Sequence, residues 1–499
     1  MITTASLAPA PNLVGSDWIM PEGVETTPVY NPSTGETIAA TPDSGPAEVD
    51  AAVQAAHAAL PAWAETPVIE RVRVLMRFAA LLEANFDEIT RLITREHGKT
   101  LAESRGDLRR GIENVEYACC APELLKGENL ENVARGIDCE MVRQPVGVCA
   151  GICPYNFPAM VPMWMFPMSL ACGNTFVLKP SQKVPLTSIR LMELLHEAGL
   201  PHGVINLVNG GTAAVQALLT HELVRAVSFV GSTRVAKIVQ EIGTKHGKRV
   251  QAAGGAKNYV FVLPDADMPK AVDGLSDGAF GCAGQRCMAA ATAVTIGSAG
   301  DEVVERLREK LASFRVGPTD REPGGQMGAV ISAEHRENVA GWIGESVDEG
   351  CELALDGRAF RCEEEPNGFY LGPTVIDRVE EPMEIAKTEI FGPVLNVMRF
   401  DDLESAIAMA NRASYGNGAC LFTQSGRAAR EFKHRIKAGM VGINVGVPAP
   451  MSFFPFSGWD ESFMGDLHVQ GRESVLFYTR GKVTTSRWFQ PGEGDIWAR

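Results

Sequence analysis

The stretch Gly281 to Ala289 reads GCAGQRCMA and places Cys282 and Cys287 five positions apart, with Arg286 directly before the second. Such a pair suits four chemistries: metal ligation, a disulfide, packing, or a nucleophile with its surroundings. Structural zinc takes about four thiolate or imidazole ligands. The chain offers no CxxC and only nine scattered histidines, so no metal is expected. Cys282 suits packing, because free cysteine is often buried. Cys287 suits a nucleophile better. Gly284 lets a backbone approach a ligand, and the cation of Arg286 favours thiolate over thiol.

Three other stretches carry candidate chemistry. In FVGSTRVAK (229–237) a strand gives way to a helix at Gly231, Ser232 and Thr233. Helix N-terminal N–H groups beside small residues suit a pyrophosphate, although GxGxxG is absent and an ordinary capped helix reads the same way. In LKPSQ (178–182) Lys179 ends a buried strand, where it either reaches ribose hydroxyls or is simply solvated. In PYNFP (154–158) Asn156 lies in an uncharged run and its amide needs partners. An oxyanion is one partner; the backbone of a proline-rich loop is the other.

These residues need a scaffold. At 499 residues the chain exceeds one core, and two or three domains are expected. Residues 47–64 and 68–98 have helical spacing. Strands are then predicted at 146–152, 174–181, 203–210, 225–232 and 259–267, with helices at 185–198 and 233–243 between them. This alternation means a mostly parallel sheet covered on both faces, with ligands at the carboxyl ends of its strands. A second alternating series runs from Ala291 to Val445. SVLFYTR (474–480) and KVTTSRW (482–488) read as a strand arm that pairs with another subunit. The run Pro145–Leu178 carries no charged residue, yet Pro145, Pro154, Pro158, Pro162 and Pro167 interrupt any continuous helix. It reads as buried interior or a cofactor cleft, not a membrane span.

The formal net charge of −15 argues against nucleic acid or anionic membrane as the main partner. Eleven cysteines and an N-terminus, MITTASLAPAP, without a basic or apolar leader pattern point to free thiols in a cytoplasmic setting.

Taken in order, PYNFP, LKPS, FVGST, GQRC, EIFGP (389–393) and PFSG (455–458) resemble the aldehyde dehydrogenase superfamily from about Asn12 to Trp488. VGVCAGICPYNFPAMVPMWMFP and GINVGVPAPMSFFPFSGW resemble its CoA-acylating branch. The resemblance implies an α/β fold: a Rossmann-type dinucleotide-binding domain (1–122 and 144–254), an α/β catalytic domain (255–469) and a small β oligomerisation part (123–143 and 470–499). A homodimer or homotetramer is implied. Cys287 matches the nucleophile, and Asn156 the side chain that holds the oxyanion with the Cys287 N–H. Lys179 matches the adenosine-ribose ligand. Gly231 and Ser232 match the pyrophosphate turn, and Glu389 and Phe391 the nicotinamide ribose and ring contacts. Ile152, Pro154, Tyr155 and Gln182 fall on other cofactor positions. Arg110 and Arg286 match the pair that reads a substrate carboxylate, with Arg109 the neighbour easily mistaken for Arg110.

Two positions depart from the family pattern. The glutamate of an ELGGK-like motif is replaced in AAGGAK (252–257) by Ala253. Water needs a base, whereas a thiol with pKa about 8.5 already supplies a few per cent thiolate at neutral pH. The loss fits transfer to coenzyme A. A glutamate after the KP is replaced by Gln182, which implies NAD with some NADP tolerance. The expected activity is CoA-acylating oxidation of malonate or methylmalonate semialdehyde through a Cys287 thioester, with decarboxylation. A hydrolytic aldehyde dehydrogenase is the alternative, and a non-catalytic protein of the same fold a remote one.

Overall fold

A computed structural model describes residues 8–321 and 324–488. Residues 1–7 of the stretch MITTASLAPAP, on which the expectation about a leader rests, and 489–499, the end of the expected oligomerisation segment, lie outside the described residues.

The first sheet has eight strands. Its parallel centre runs Arg249–Ala253, Val224–Val230, Val148–Ile152, Thr175–Lys179, Ile205–Leu207, flanked by antiparallel edges at Phe463–Met464 on one side and Asn12–Val14 and Asp17–Ile19 on the other. The central strands Val224–Val230, Val148–Ile152 and Thr175–Lys179 are buried except at Arg225, because helices cover both faces. Val148, Ala150 and Ile152 face a core shared with the Pro46–Glu65, Thr212–Thr220 and Thr233–Lys245 helices. Cys149, Phe176 and Leu178 face the opposite core, against Met160–Ala171. The uncharged run is therefore strand, loop, buried helix and strand. No helix among the described residues is long and apolar enough to cross a membrane.

The second sheet has seven strands in the order Glu352–Leu355, Thr374–Asp377, Val394–Phe400, Ala290–Ile296, Asn258–Val262, Gly418–Phe422, Met440–Ile443, parallel except at the first edge. Glu128–Ala134, Ile137–Pro145 and Thr479–Arg487 form a third, antiparallel sheet, so the C-terminal strand pairs within its own chain. Two details differ from the sequence reading. Gly471–Tyr478 is a helix, not a strand; Val475, Phe477 and Tyr478 are buried against the first core, and the strand begins only at Thr479. Phe463–Met464, expected in the catalytic domain, pairs with Ala252 and Ala253 on the first sheet.

Candidate functional site

Cys287 lies between the two large sheets, after the turn Gly281–Gly284 and before the Ala290–Ile296 strand. That turn is tight: Cys282, Ala283 and Gly284 all have left-handed φ, of 51°, 52° and 71°. Two of the three carry side chains, which is costly and persists only where surroundings enforce it. The enforcement is visible. The Cys282 N–H donates to Glu103 Oε1 at 2.6 Å, and Gln285 Nε2 donates to the Cys282 carbonyl at 3.2 Å. At Gly284 a Cβ would run into the Gly392 carbonyl, so only glycine fits. After the turn, Asn258 and Asn417 each donate a side-chain N–H to the Cys287 carbonyl at 2.9 Å. These amides fix the peptide that carries the thiol.

Cys287 lines two cavities. The first also contains Pro154, Tyr155, Asn156, Gly231, Ser232, Gly254, Gly255, His335, Glu389 and Phe391. The second, of about 230 Å³, is lined by Glu103, Asp107, Arg110, Glu113 and Arg286 among apolar walls that include Phe157, Trp164 and Phe456. The structure thus brings together most residues expected from sequence and splits them into two groups around one sulfur.

Asn156 sits in the loop after the Val148–Ile152 strand and is buried. The loop is clamped from below. Lys99 Nζ donates to the Asn156 carbonyl at 2.6 Å and pairs with Asp107 at 3.1 Å, both side chains fully shielded from solvent. Asp107 also accepts the Met160 N–H at 2.7 Å. Among the described residues the Asn156 side-chain amide has no hydrogen bond, which leaves it for a ligand.

The first cavity fits a dinucleotide. Gly231, Ser232 and Val235 at the N-terminus of the Thr233–Lys245 helix line it, and the Ser232 side chain makes no cap bond there. Glu389 is the only carboxylate lining it among the described residues. Its Oε1 accepts the Ala256 N–H at 3.1 Å, and burial pushes its pKa up to about 7 against the pull of Lys257. A Cβ at Gly255 would overlap that carboxylate. Phe391 holds a left-handed φ of 56°, and its carbonyl is bonded to His335 at 2.8 Å. Ala253, at the end of the Arg249–Ala253 strand, is buried.

Not every expected residue lies here. Ile152 is core, packed among Val148, Val177 and Phe229. Lys179 and Gln182 form a separate cluster farther along the strand ends. Lys179 Nζ donates to the Pro180 and Gly210 carbonyls at 2.9 and 2.8 Å, and burial lowers its pKa to about 8. Gln182 Nε2 reaches Asp43 at 3.2 Å, and Asp43 also accepts the Gly211 N–H at 2.7 Å. Arg109 pairs with Glu83 on the outer surface, which separates it from Arg110.

Arg286 acts on the Cys287 thiol in the direction its sequence position suggested, but other influences outweigh it. Burial, followed by the charge of Glu389, pushes the Cys287 thiol up to about 12, and the nearby guanidinium is a minor opposing influence. The Arg286 head lies over Gly281, bonds the Asp277 carbonyl at 3.2 Å and Glu103 at 3.1 Å, and interacts with the Cys282 thiol. Burial opposes its charge, but Cys282 and Glu103 keep it protonated. Sequence reasoning missed Lys99, Glu103, Asp107, Asn258 and Asn417. Their chain separation from Cys287 left no local signal, except that Thr100-x-x-Glu103 is a capping box and marks a helix start.

The aldehyde dehydrogenase family model matches residues 18–484. The chain is 49% identical over 477 residues to malonate-semialdehyde dehydrogenase 1 of Geobacillus kaustophilus, covering 96% of this chain and 97% of that protein. It is 48% identical over 480 residues to the malonate-semialdehyde dehydrogenase of Pseudomonas aeruginosa, covering 96% of each. A methylmalonate-semialdehyde dehydrogenase structure from Oceanimonas doudoroffii matches with TM-score 0.95 and 46% identity, over 97% of this chain and 99% of that one. A Sinorhizobium meliloti structure provisionally given the same enzyme name, determined with NAD, matches with TM-score 0.96 and 42% identity, over 98% and 99%. The chain belongs to the aldehyde dehydrogenase family.

Proposed function

We propose that this chain is an NAD-dependent, CoA-acylating malonate-semialdehyde or methylmalonate-semialdehyde dehydrogenase. One observation carries the reading: Cys287 lines both a cavity that reaches the Thr233–Lys245 helix N-terminus and a second cavity with two arginines, and no carboxylate stands at Ala253.

The thiolate of Cys287 attacks the aldehyde carbon. The side-chain amide of Asn156 and the Cys287 N–H donate to the oxygen as it becomes an anion. Gly231, Ser232, Glu389 and Phe391 would hold NAD, which when bound supplies the hydride acceptor. The acyl group is then a thioester on Cys287 with its carboxylate β to the carbonyl. Arg286 and Arg110 hold that carboxylate, because guanidinium suits planar bidentate recognition. The C–C bond breaks toward the thioester, which delocalises the electron pair; CO2 leaves and a proton is taken up. The CoA thiol displaces Cys287 and gives acetyl-CoA, or propionyl-CoA from the methyl substrate. Overall, malonate semialdehyde, NAD⁺ and CoA give acetyl-CoA, CO2 and NADH. Lys179 and Gln182 hold the adenosine ribose in this reading, with Asp43 beside them.

The third sheet is proposed as the contact between subunits of a homodimer or homotetramer. Leu130, Val142 and Val483 are apolar and exposed on it.

The test is transient kinetics with malonate semialdehyde. A burst of NADH formation and a steady state that requires CoA are expected. A steady-state rate unchanged when CoA is omitted would mean hydrolysis instead.

A further inference from the structure

The second cavity contains two guanidinium groups, and the protein already answers each with a carboxylate. Arg286 meets Glu103 at 3.1 Å; Arg110 meets Glu113 at 2.9 Å. Asp107, between them, is matched by Lys99. Glu103, Asp107, Arg110 and Glu113 occupy one face of the Leu101–Ala118 helix at spacings of three and four. An anionic substrate therefore enters a cavity whose charges are paired, and must take a guanidinium from a protein carboxylate.

The two pairs differ in how easily they can give way. Arg110 is tied down by several bonds: its Nη groups donate to the Pro450 carbonyl at 2.8 Å, to the Ala449 carbonyl at 3.4 Å and to the Met451 sulfur at 2.9 Å. Glu103 is placed differently. Its Oε1 is shared between the Arg286 guanidinium and the Cys282 N–H, and its Oε2 accepts the Thr100 N–H at 2.9 Å. If Arg286 turns to another carboxylate, Glu103 keeps two backbone donors and is not stranded. Arg286 in turn keeps the Asp277 carbonyl and stays over Gly281. The partner exchanges and the arginine stays in place.

We infer that Glu103 is a specificity-determining residue: an internal carboxylate that holds Arg286 in the place of the substrate's carboxylate and competes with it. Glu103 thereby sets how strongly carboxylated semialdehydes are preferred over plain aldehydes. The inference rests on the proposed role of Arg286.

Glu103→Gln and Glu103→Asp are assayed with malonate semialdehyde and with propanal at saturating NAD and CoA. The amide of Glu103→Gln still accepts from the Cys282 N–H but no longer neutralises Arg286. The ratio of the semialdehyde KM to the propanal KM is expected to fall about fivefold, the size of one partly exposed ion pair. Glu103→Asp, whose shorter carboxylate draws back from Arg286, gives a smaller fall and serves if the glutamine variant does not fold. A ratio that is unchanged or raised overturns the inference, including the case in which both KM values move together as they would for a merely structural residue. Arg286→Ala is run in parallel. Equal effects on both substrates there would remove the reading of Arg286 itself; a selective Arg286→Ala with an unmoved Glu103 ratio removes only the competition by Glu103.

Discussion

The two cavities that meet at the Cys287 sulfur are built from opposite materials. The cofactor side combines Gly231, Gly254, Gly255 and a helix N-terminus with uncharged side chains such as Tyr155, Asn156 and Phe391, and has Glu389 as its one carboxylate among the described residues. The acyl side is a stack of paired charges carried on one helix face and enclosed by aromatic and apolar walls. Backbone donors recognise a diphosphate that is the same in every turnover, and they need no side-chain choice. Side-chain charges recognise what distinguishes one aldehyde from another. Chemistry common to the family would then reside on one side of the sulfur and substrate identity on the other.

Removing the shared atom tests this division most severely. Cys287→Ser is expected to lower kcat by at least about 10³-fold, because the weaker nucleophile has no base at Ala253 to activate it. NAD affinity, read by fluorescence titration, should stay within about threefold of the parent. Loss of NAD binding would show that the two cavities are not separable. Next in size is Arg286→Ala, which should raise the semialdehyde KM about 100-fold while the propanal KM changes little, the typical effect of truncating one partner of a buried charged hydrogen bond. Comparable changes with both substrates would move specificity away from the acyl side.

The thiol itself gives a pH prediction. Burial and then Glu389 push the Cys287 pKa up to about 12, so between pH 7 and 9 the thiolate is a small fraction that grows about tenfold per unit. Alkylation of the NAD-free enzyme at Cys287, followed by mass spectrometry, should accelerate by that factor. A plateau below pH 8 would show that a nearby cation activates the thiol after all.

Sequence carried the first side of this comparison far better than the second. PYNFP, FVGST and EIFGP are contiguous, and each lies at the boundary of a strand or helix, where geometry is local; the structure places Asn156, Gly231, Ser232, Glu389 and Phe391 around one cavity. Arg286 and Arg110 were also legible, but their partners were not. Glu103 lies far from Cys282 in the chain, and only the packing of the Leu101–Ala118 helix against the turn joins them. The strand expected at 474–480 is helix as far as Tyr478 for a related reason: Val475, Phe477 and Tyr478 suit either state, and burial against the first core decides. The alternation of strands and helices gave both large sheets, because central parallel strands are continuous apolar runs. It did not show that Phe463–Met464 returns to the first sheet, a pairing made by only two residues at its edge.

Lys99 lies beneath the boundary between the cavities and makes the comparison sharper. Its ammonium bonds the Asn156 carbonyl and Asp107, and sits 4.0 Å from the centre of the Phe157 ring. Lys99→Met leaves Asp107 buried without its cation and should cost about 3 kcal/mol of stability, measured by denaturant titration. The Asn156 loop loses its clamp, so kcat is expected to fall several-fold with both aldehydes alike. A substrate-selective effect would place Lys99 on the acyl side instead of under the loop common to both.

The smallest effect is expected at the far end of the cofactor side, where a side chain does make a choice. Gln182 stands where a carboxylate is usual in NAD-preferring relatives of the resemblance, which alone implied tolerance of NADP. The structure puts Asp43 against it, bonded to the Gln182 amide at 3.2 Å and to the Gly211 N–H at 2.7 Å, beside the Lys179 ammonium. A carboxylate is therefore present in this corner although it comes from a distant part of the chain. If the adenosine ribose lies here, Asp43 repels a 2′-phosphate as a glutamate at 182 would. Screening by solvent and by Lys179 limits that repulsion. Asp43→Asn should raise kcat/KM for NADP relative to NAD by about threefold, a modest surface electrostatic effect. An unchanged ratio would mean that Asp43 only holds the Gly210–Gly211 turn, and that cofactor choice, like the pyrophosphate site, rests on backbone alone.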